Sequence, residues 1–453
     1  MSTIAAIATP NASGGIGVIR ISGEDAIAVA DRVFVSVSGK KLSDIKGYTA
    51  LYGHVCENGN KIDECVALVF RAPRSYTGED VVELSCHGGL FVTQKVLRTV
   101  LMCGASPAEA GEFTKRAFLN GKIDLAEAEA VMNIISAHGQ QALNAAVNTL
   151  DGKLSEKISA VAASLTNIAA GIAVWTDDPD EDVPQAHEDN VRTVVENALN
   201  ELKKLIKNFD SGRVVTQGVS TAICGHPNVG KSTLMNQLSG FDRSIVTDIA
   251  GTTRDVVEET VRLGDVILHL ADTAGIRESD DIVEAIGIDR TMKKLDVAQL
   301  VIAVFDYSQE LSVDDIKLLE KCKGRRAVAV VNKTDLEMKI NTEKIKEYID
   351  DVVLLSASNG EGLENLRSVI ENLLGTAELD TSAGILANER QYNCCVSAAE
   401  SLREALDGLC IGVTLDAVNV SIDYATEKLL ELTGEKARDA VVNEVFSKFC
   451  VGK

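Results

Sequence analysis

Gly225-His-Pro-Asn-Val-Gly-Lys-Ser232 satisfies the pattern GxxxxGK[ST], and its flanks decide what it means: the apolar run STAIC (220–224) precedes it and helix-compatible text follows. A strand that turns through glycines into a helix aims successive backbone N–H groups and the positive helix end at one point, which suits a chain of phosphates. In this reading Lys231 reaches the terminal phosphates and Ser232 offers its hydroxyl to Mg²⁺. Asn228, Val229, Gly230 and Thr233 complete the cradle.

Three further strand ends extend the pattern. Asp272-Thr273-Ala274-Gly275 follows VILHLA; the carboxylate suits the Mg²⁺ shell, and the Gly275 N–H can sense a γ-phosphate. Asn332-Lys333-Thr334-Asp335 closes AVAVV. Asp335 can accept hydrogen bonds from both N1–H and the exocyclic amine of guanine, which adenine cannot donate together. Ser356-Ala357-Ser358 ends VVLL and resembles the GTPase segment that supports the base through backbone contacts. DTAG and SAS are weak signals singly; their order and strand-end placement make a GTPase domain. Ile276 stands where Ras-like enzymes carry the glutamine that orients water, so another group must do that work. Asn228 reads most plainly as a loop-capping amide. With the hydroxyls and carbonyls of Thr247 to Asp255 it can also surround a hard monovalent cation, whose charge replaces that of an arginine finger.

Outward from this motif, short apolar strands alternate with helical patterns from about 217 to 374, the signature of βαβ units and a mostly parallel sheet. Residues 1–120 mix the strand-like runs IAAIAT, GVIRIS, ECVALVF and VVELSC with one helix pattern over Phe91–Met102, as in a small α+β domain. Helical spacing fills Ile123 to Phe209 and returns after Ala377. The spacing predicts a multidomain α/β and α protein: an N-terminal domain over 1–120, helical parts over 121–214 and 378–453, and a GTPase domain over 215–377 between them. A discontinuous helical domain with the GTPase domain inserted into it would explain this order, although pattern alone does not join the two helical parts. DDPDEDVPQAHEDN (177–190) holds seven acids, two prolines and no Lys or Arg, as an exposed loop or hinge does.

A length of 453 residues exceeds what one core organises, and 45% apolar with 25% charged residues excludes a disordered or collagen-like chain. Only 4% aromatics and 6 prolines argue against an all-β architecture. Acids outnumber bases 67 to 45, a formal charge of −22, which argues against a general nucleic-acid-coating protein with a basic face and makes any RNA contact local. No run is expected to reach the roughly 20 apolar residues of a membrane span, and MSTIAAIATP lacks the basic start of a secretory signal. A cytoplasmic location follows as an expectation. The 10 cysteines include no CxxC pair and read as reduced thiols rather than zinc ligands.

Some blocks exceed any generic GTPase: ATPNASGGIGVIRISG (Ala8–Gly23), SYTGEDVVELSCHGG (Ser75–Gly89), GEFTKRAFLNGKIDLAEAEAV (Gly111–Val131) and the terminal FCVGK. With the GTPase motifs they closely resemble, end to end, the tRNA-modification GTPase family MnmE, also called TrmE. The resemblance implies a folate-binding N-terminal domain that dimerises the protein, a helical domain, and an inserted GTPase domain that meets its copy when GTP and K⁺ bind. It implies a homodimer working with an MnmG-type flavoprotein, which uses FAD and NADH, in a heterotetramer. Together they place an aminomethyl-type (carboxymethylaminomethyl) group on C5 of the wobble uridine of tRNA. A tetrahydrofolate derivative, in 5-formyl or methylene form, supplies the one-carbon unit. Carried over by position, Asn228, Thr247, Ile249 and Thr252 are K⁺ positions and Ser232 and Thr253 Mg²⁺ positions. The rest of that loop, Asp248, Ala250 and Gly251, joins the GTP site, as do Thr273 and Ala274. Glu284 matches the glutamate that positions the hydrolytic water through a second water, and joins Lys231 and Asp272 as the catalytic set. Arg20, Glu83, Lys122 and Lys453 match folate contacts: cations suit the folate's carboxylate, and Glu83 the N–H donors of its pterin ring. Cys450 matches a tail cysteine near that site, a reactive thiol only if its pKa is lowered or a base lies close. VWTDDPDEDV and SIDYATEKLLELTGEK depart from the family pattern, both in the helical domain.

Two rival readings share these motifs. A ribosome-assembly GTPase has the same phosphate loop, although its RNA modules are usually basic. A folate-binding scaffold would use GTP only as an assembly signal.

Overall fold

The computed structural model describes residues 2–177, 188–241, 259–270, 298–377 and 384–452. The chain forms two compact units: Met1–Met132 with Leu150–Glu196 and Glu400–Lys453, and Asn133–Thr149 with Asn197–Ala399. Helical segments belong to both units.

In the first unit, seven strands make a mixed sheet: β1 (Ile4–Ile7), β2 (Ile16–Ser22), β3 (Phe34–Ser36), β4 (Thr49–Glu57), β5 (Asn60–Phe70), β6 (Val81–His87) and β7 (Ser106–Pro107). Their order is β3-β4-β5-β6-β2-β1-β7. Alternation along β2 and β6 sends Ile19, Ile21, Val82 and Leu84 into a core with Val29, Val33, Val96 and Val100 from the helices Ala26–Val33 and Leu90–Met102. The same alternation turns Arg20 and Glu83 to the opposite face, directly across from each other. The four anticipated strand runs are β1, β2, β5 and β6. Strands β3 and β4 were not anticipated: TALYGHVCE buries few of its side chains, so it carries no clean apolar alternation.

The long helix Lys153–Asp177 packs along Leu415–Thr433. Against the expectation that no run reaches membrane-span length, the helical stretch Lys153–Thr176 is 24 residues long and contains an 18-residue window with a mean hydropathy of 1.6. Its buried positions Leu154, Ile158, Leu165 and Ile172 fall on one helical stripe, and Ile422 and Leu429 are buried on its partner helix. Amphipathic packing of helix on helix accounts for that buried stripe, while most of the window faces outward, 28% of it being buried. The acidic run falls mainly on 178–187, outside the described residues.

The second unit contains β8 (Val219–Cys224), β9 (Glu259–Leu263), β10 (Val266–Leu270), β11 (Leu300–Asp306), β12 (Ala327–Asn332) and β13 (Asp351–Leu355), in the order β13-β12-β11-β8-β10-β9. All neighbours are parallel except β9 and β10. Every residue of β11 and β12 is buried, which is why these strands read as unbroken apolar runs. β9 was not anticipated, although the two residues Gly264-Asp265 between it and β10 are a hairpin signal.

Candidate functional site

The phosphate loop leaves β8 and enters the helix Lys231–Phe241. Gly230 sits at φ 93°, and a Cβ there would lie 2.2 Å from Asn332 Nδ2, so only glycine lets the loop pass. Lys231 Nζ donates to the carbonyls of Gly225 (2.9 Å) and His226 (2.7 Å), and burial holds its ammonium below the usual lysine range. A lysine so placed has surrendered water for two neutral acceptors, and an arriving phosphate would favour its charge again. Ser232 and Thr233 are exposed at the helix start, and Asn228 is exposed in the left-handed region at φ 65°. The Ser232 hydroxyl and the Asn228 amide are hard oxygen donors of the kind Mg²⁺ and K⁺ take.

The residues at the ends of β12 and β13 are tied to this loop through one buried side chain. Asn332, 2% exposed, donates from Nδ2 to the Val229 carbonyl and accepts the Ala357 N–H on Oδ1, both at 2.9 Å. It links the phosphate loop to the strand end that carries Ser356-Ala357-Ser358. Asp335 Oδ1 accepts from the Ser356 hydroxyl at 2.6 Å, and Ser358 Oγ lies 3.0 Å from Ser356 Oγ. The Thr334 N–H reaches the Leu355 carbonyl at 3.3 Å. Lys333 Nζ donates to the Asn228 carbonyl (2.7 Å) and to Asp306 Oδ2 (2.6 Å). Burial pushes the Asp306 carboxyl up, but hydrogen bonds from Lys333 and Ser308 prevail and hold it below the usual carboxylate range. Sequence reasoning passed over Asp306, though a signal existed: LVIAVF ends in Asp306 just as AVAVV ends in Asn332.

Several expected positions lie outside the described residues: Thr247, Asp248, Ile249, Ala250, Gly251, Thr252, Thr253, Asp272, Thr273, Ala274, Gly275, Glu284 and Lys453.

A second cluster lies in the first unit. Arg20 Nε donates to Glu83 Oε1 at 2.9 Å, and its guanidinium lies 5.6 Å from the ring centroids of Tyr76 and Phe113. The chain's tail reaches this pair. Val451 bridges to Ala110, the Gly111 N–H donates to the Cys450 carbonyl at 3.3 Å, and Arg20 Nη1 reaches the Gly452 carbonyl at 3.5 Å. Gly452, at φ 99°, would place a Cβ 2.3 Å from the Ile7 carbonyl. Cys450 is exposed. Lys122 Nζ donates to the Pro73 carbonyl at 3.2 Å, at the base of the loop that carries Tyr76. That loop is pinned by residues not singled out from sequence: buried Arg116 binds Glu79 through Nη1 (3.0 and 3.1 Å) and Glu112 through Nη2 (2.7 Å). The 37-position separation of Arg116 and Glu79 hides that pairing from any local pattern.

A mostly parallel sheet whose central strand turns through a glycine loop into a helix, bound by a buried asparagine to an NKxD strand end, is the fold of a P-loop GTPase. Residues 3–122 match the family model described as GTP-binding protein TrmE N-terminus, and residues 125–450 the model described as MnmE helical domain. The tRNA modification GTPase MnmE of Clostridioides difficile (strain 630) is 40% identical over 454 residues, covering 100% of this chain and 99% of the relative. Those of Bacillus subtilis (strain 168) and Lactococcus lactis subsp. lactis (strain IL1403) are 40% and 42% identical, covering 100% of this chain and 100% and 98% of the relatives. Among solved structures, the G domain of the T. maritima FeoB iron transporter matches 35% of this chain at 29% identity with a TM-score of 0.26. The chain belongs to the MnmE (TrmE) family of tRNA modification GTPases.

Proposed function

We propose that the protein is a K⁺-stimulated, Mg²⁺-dependent GTPase that modifies C5 of the wobble uridine of tRNA. It works as a cytoplasmic homodimer with a flavin-dependent partner, and a reduced folate supplies the one-carbon unit. The observation that carries this reading is the convergence of Arg20, Glu83 and the tail segment Cys450–Gly452 in one place. A ribosome-assembly GTPase has no use for such a cluster, whereas a folate site does. The three-part domain organisation, with the GTPase domain inserted into the helical one, belongs to the same proposal.

In this reading Lys231 and the N–H groups of the loop hold the phosphates, Asp335 reads guanine, and Ser356 keeps the Asp335 carboxylate oriented. K⁺ would supply a fixed positive charge beside the phosphates, held in part by Asn228. Reduced folate would supply one carbon, with Arg20 and Lys122 facing its carboxylate. Glu284 positions water, and switch contacts made only with the γ-phosphate drive rearrangement between the GTP and GDP states.

The decisive experiment is mass spectrometry of wobble-uridine nucleosides from cells whose gene carries Lys231→Ala. Loss of the C5 modification with normal rRNA processing is expected. Unchanged nucleosides with accumulating ribosome precursors would move the protein to ribosome assembly. Two narrower outcomes are expected. GTP turnover in Na⁺ should fall well below that in K⁺, and equal rates in the two salts would remove the cation role of Asn228. Gly452→Ala should weaken reduced-folate binding about tenfold, since both the left-handed backbone and the clash with Ile7 displace the tail. A fluorescence titration returning the unaltered Kd would separate the tail from the folate site.

A further inference from the structure

We propose that Asp306 is a positioning residue that clamps Lys333 between the base-reading strand end and the phosphate loop, and through that clamp sets the affinity for guanine nucleotides. The inference rests on the nucleotide site proposed above and adds a residue outside its motifs.

Asp306 is the last residue of β11 and pairs in register with Asn332, the last of β12. The Tyr307 N–H donates to the Asn332 carbonyl at 2.8 Å, so the two chains remain fixed one residue beyond the strands, where Lys333 begins. The Asp306 side chain is 6% exposed. Its Oδ1 is held by the Ser308 N–H (2.9 Å) and hydroxyl (2.7 Å), leaving Oδ2 aimed at Lys333 Nζ. The ammonium spends a second hydrogen bond on the Asn228 carbonyl, across the site.

A free lysine tip has many rotamers, and ordering it at the moment of binding would subtract from affinity. Here two charge-assisted bonds order it beforehand. The buried carboxylate is needed for this because a neutral carbonyl alone competes poorly with water for an ammonium. The Asn228 carbonyl that completes the clamp belongs to a left-handed residue, so Lys333 also stabilises the shape of the phosphate loop at that point.

The test is a double-mutant cycle on the full-length protein, reading the Kd for GDP with Mg²⁺ present. Asp306→Asn keeps the shape and removes the charge; it should weaken GDP about tenfold. Lys333→Met keeps the stem and removes the ammonium. In the Lys333→Met background, Asp306→Asn should weaken GDP less than about twofold, because the residue it acts through has gone. An equal loss in both backgrounds would show that Asp306 only supports the local turn, and a wild-type Kd for the single variant would refute the clamp outright. Should Asp306→Asn not fold, Ser308→Ala, which removes one of the two bonds orienting the carboxylate, enters the same cycle with an expected loss of about twofold to threefold. Failure of the nucleotide site itself would be seen separately, as an Asp335→Asn protein whose preference for guanine is unaltered.

Discussion

Lys231→Ala protein is expected to hydrolyse GTP about 10²- to 10³-fold more slowly than the parent, the loss that follows removal of one preorganised donor to developing negative charge. The structure says why so much rests on this group. Its Nζ is already at the loop, held by the Gly225 and His226 carbonyls, and its charge is poorly solvated there. A partly desolvated ammonium gains more from a phosphate than one in water, and alanine forfeits that gain in the transition state. Single-turnover phosphate release measures it. Turnover within a factor of three of the parent would mean that the GxxxxGKS loop is not where GTP reacts.

Asp335→Asn is expected to lower GTP affinity on the order of 10²- to 10⁴-fold, because two charge-assisted hydrogen bonds to guanine are lost and a donor faces a donor. Xanthine has a carbonyl in place of the exocyclic amine, so an asparagine amide can accept from its N1–H and donate to its O2. The variant should therefore bind xanthosine triphosphate better than GTP. The orientation needed for this is prepared, since Ser356 holds Asp335 Oδ1 and Ser358 lies beside Ser356. Competition binding with the two nucleotides reads the preference directly, and unchanged preference would remove Asp335 from base recognition.

The parts of the site legible in the sequence are those where a backbone requirement and a chemical one coincide. Gly230 and Lys231 stand next to each other because the loop must pass Asn332 and then face phosphate, so spacing alone reveals them. Asn332 to Asp335 is legible because a wholly buried strand ends abruptly in polar residues. Asp306 meets the same description and still escaped, since its partner Lys333 lies 27 residues away and only the register of β11 on β12 joins them. Arg116 escaped for the same reason, its partner Glu79 lying on a loop that no periodicity marks. In the fold, the unbroken apolar runs of β11 and β12 were readable, whereas β4 was not, because much of it lies at the surface, and β9 was not, although Val261 and Leu263 are buried.

The contact between Arg20 and the Gly452 carbonyl joins residues 432 positions apart. A ribosome makes the N-terminal sheet early and Gly452 432 positions after Arg20, so the Arg20 cluster stays open while everything between them is synthesised and closes only once residues 450–452 have emerged.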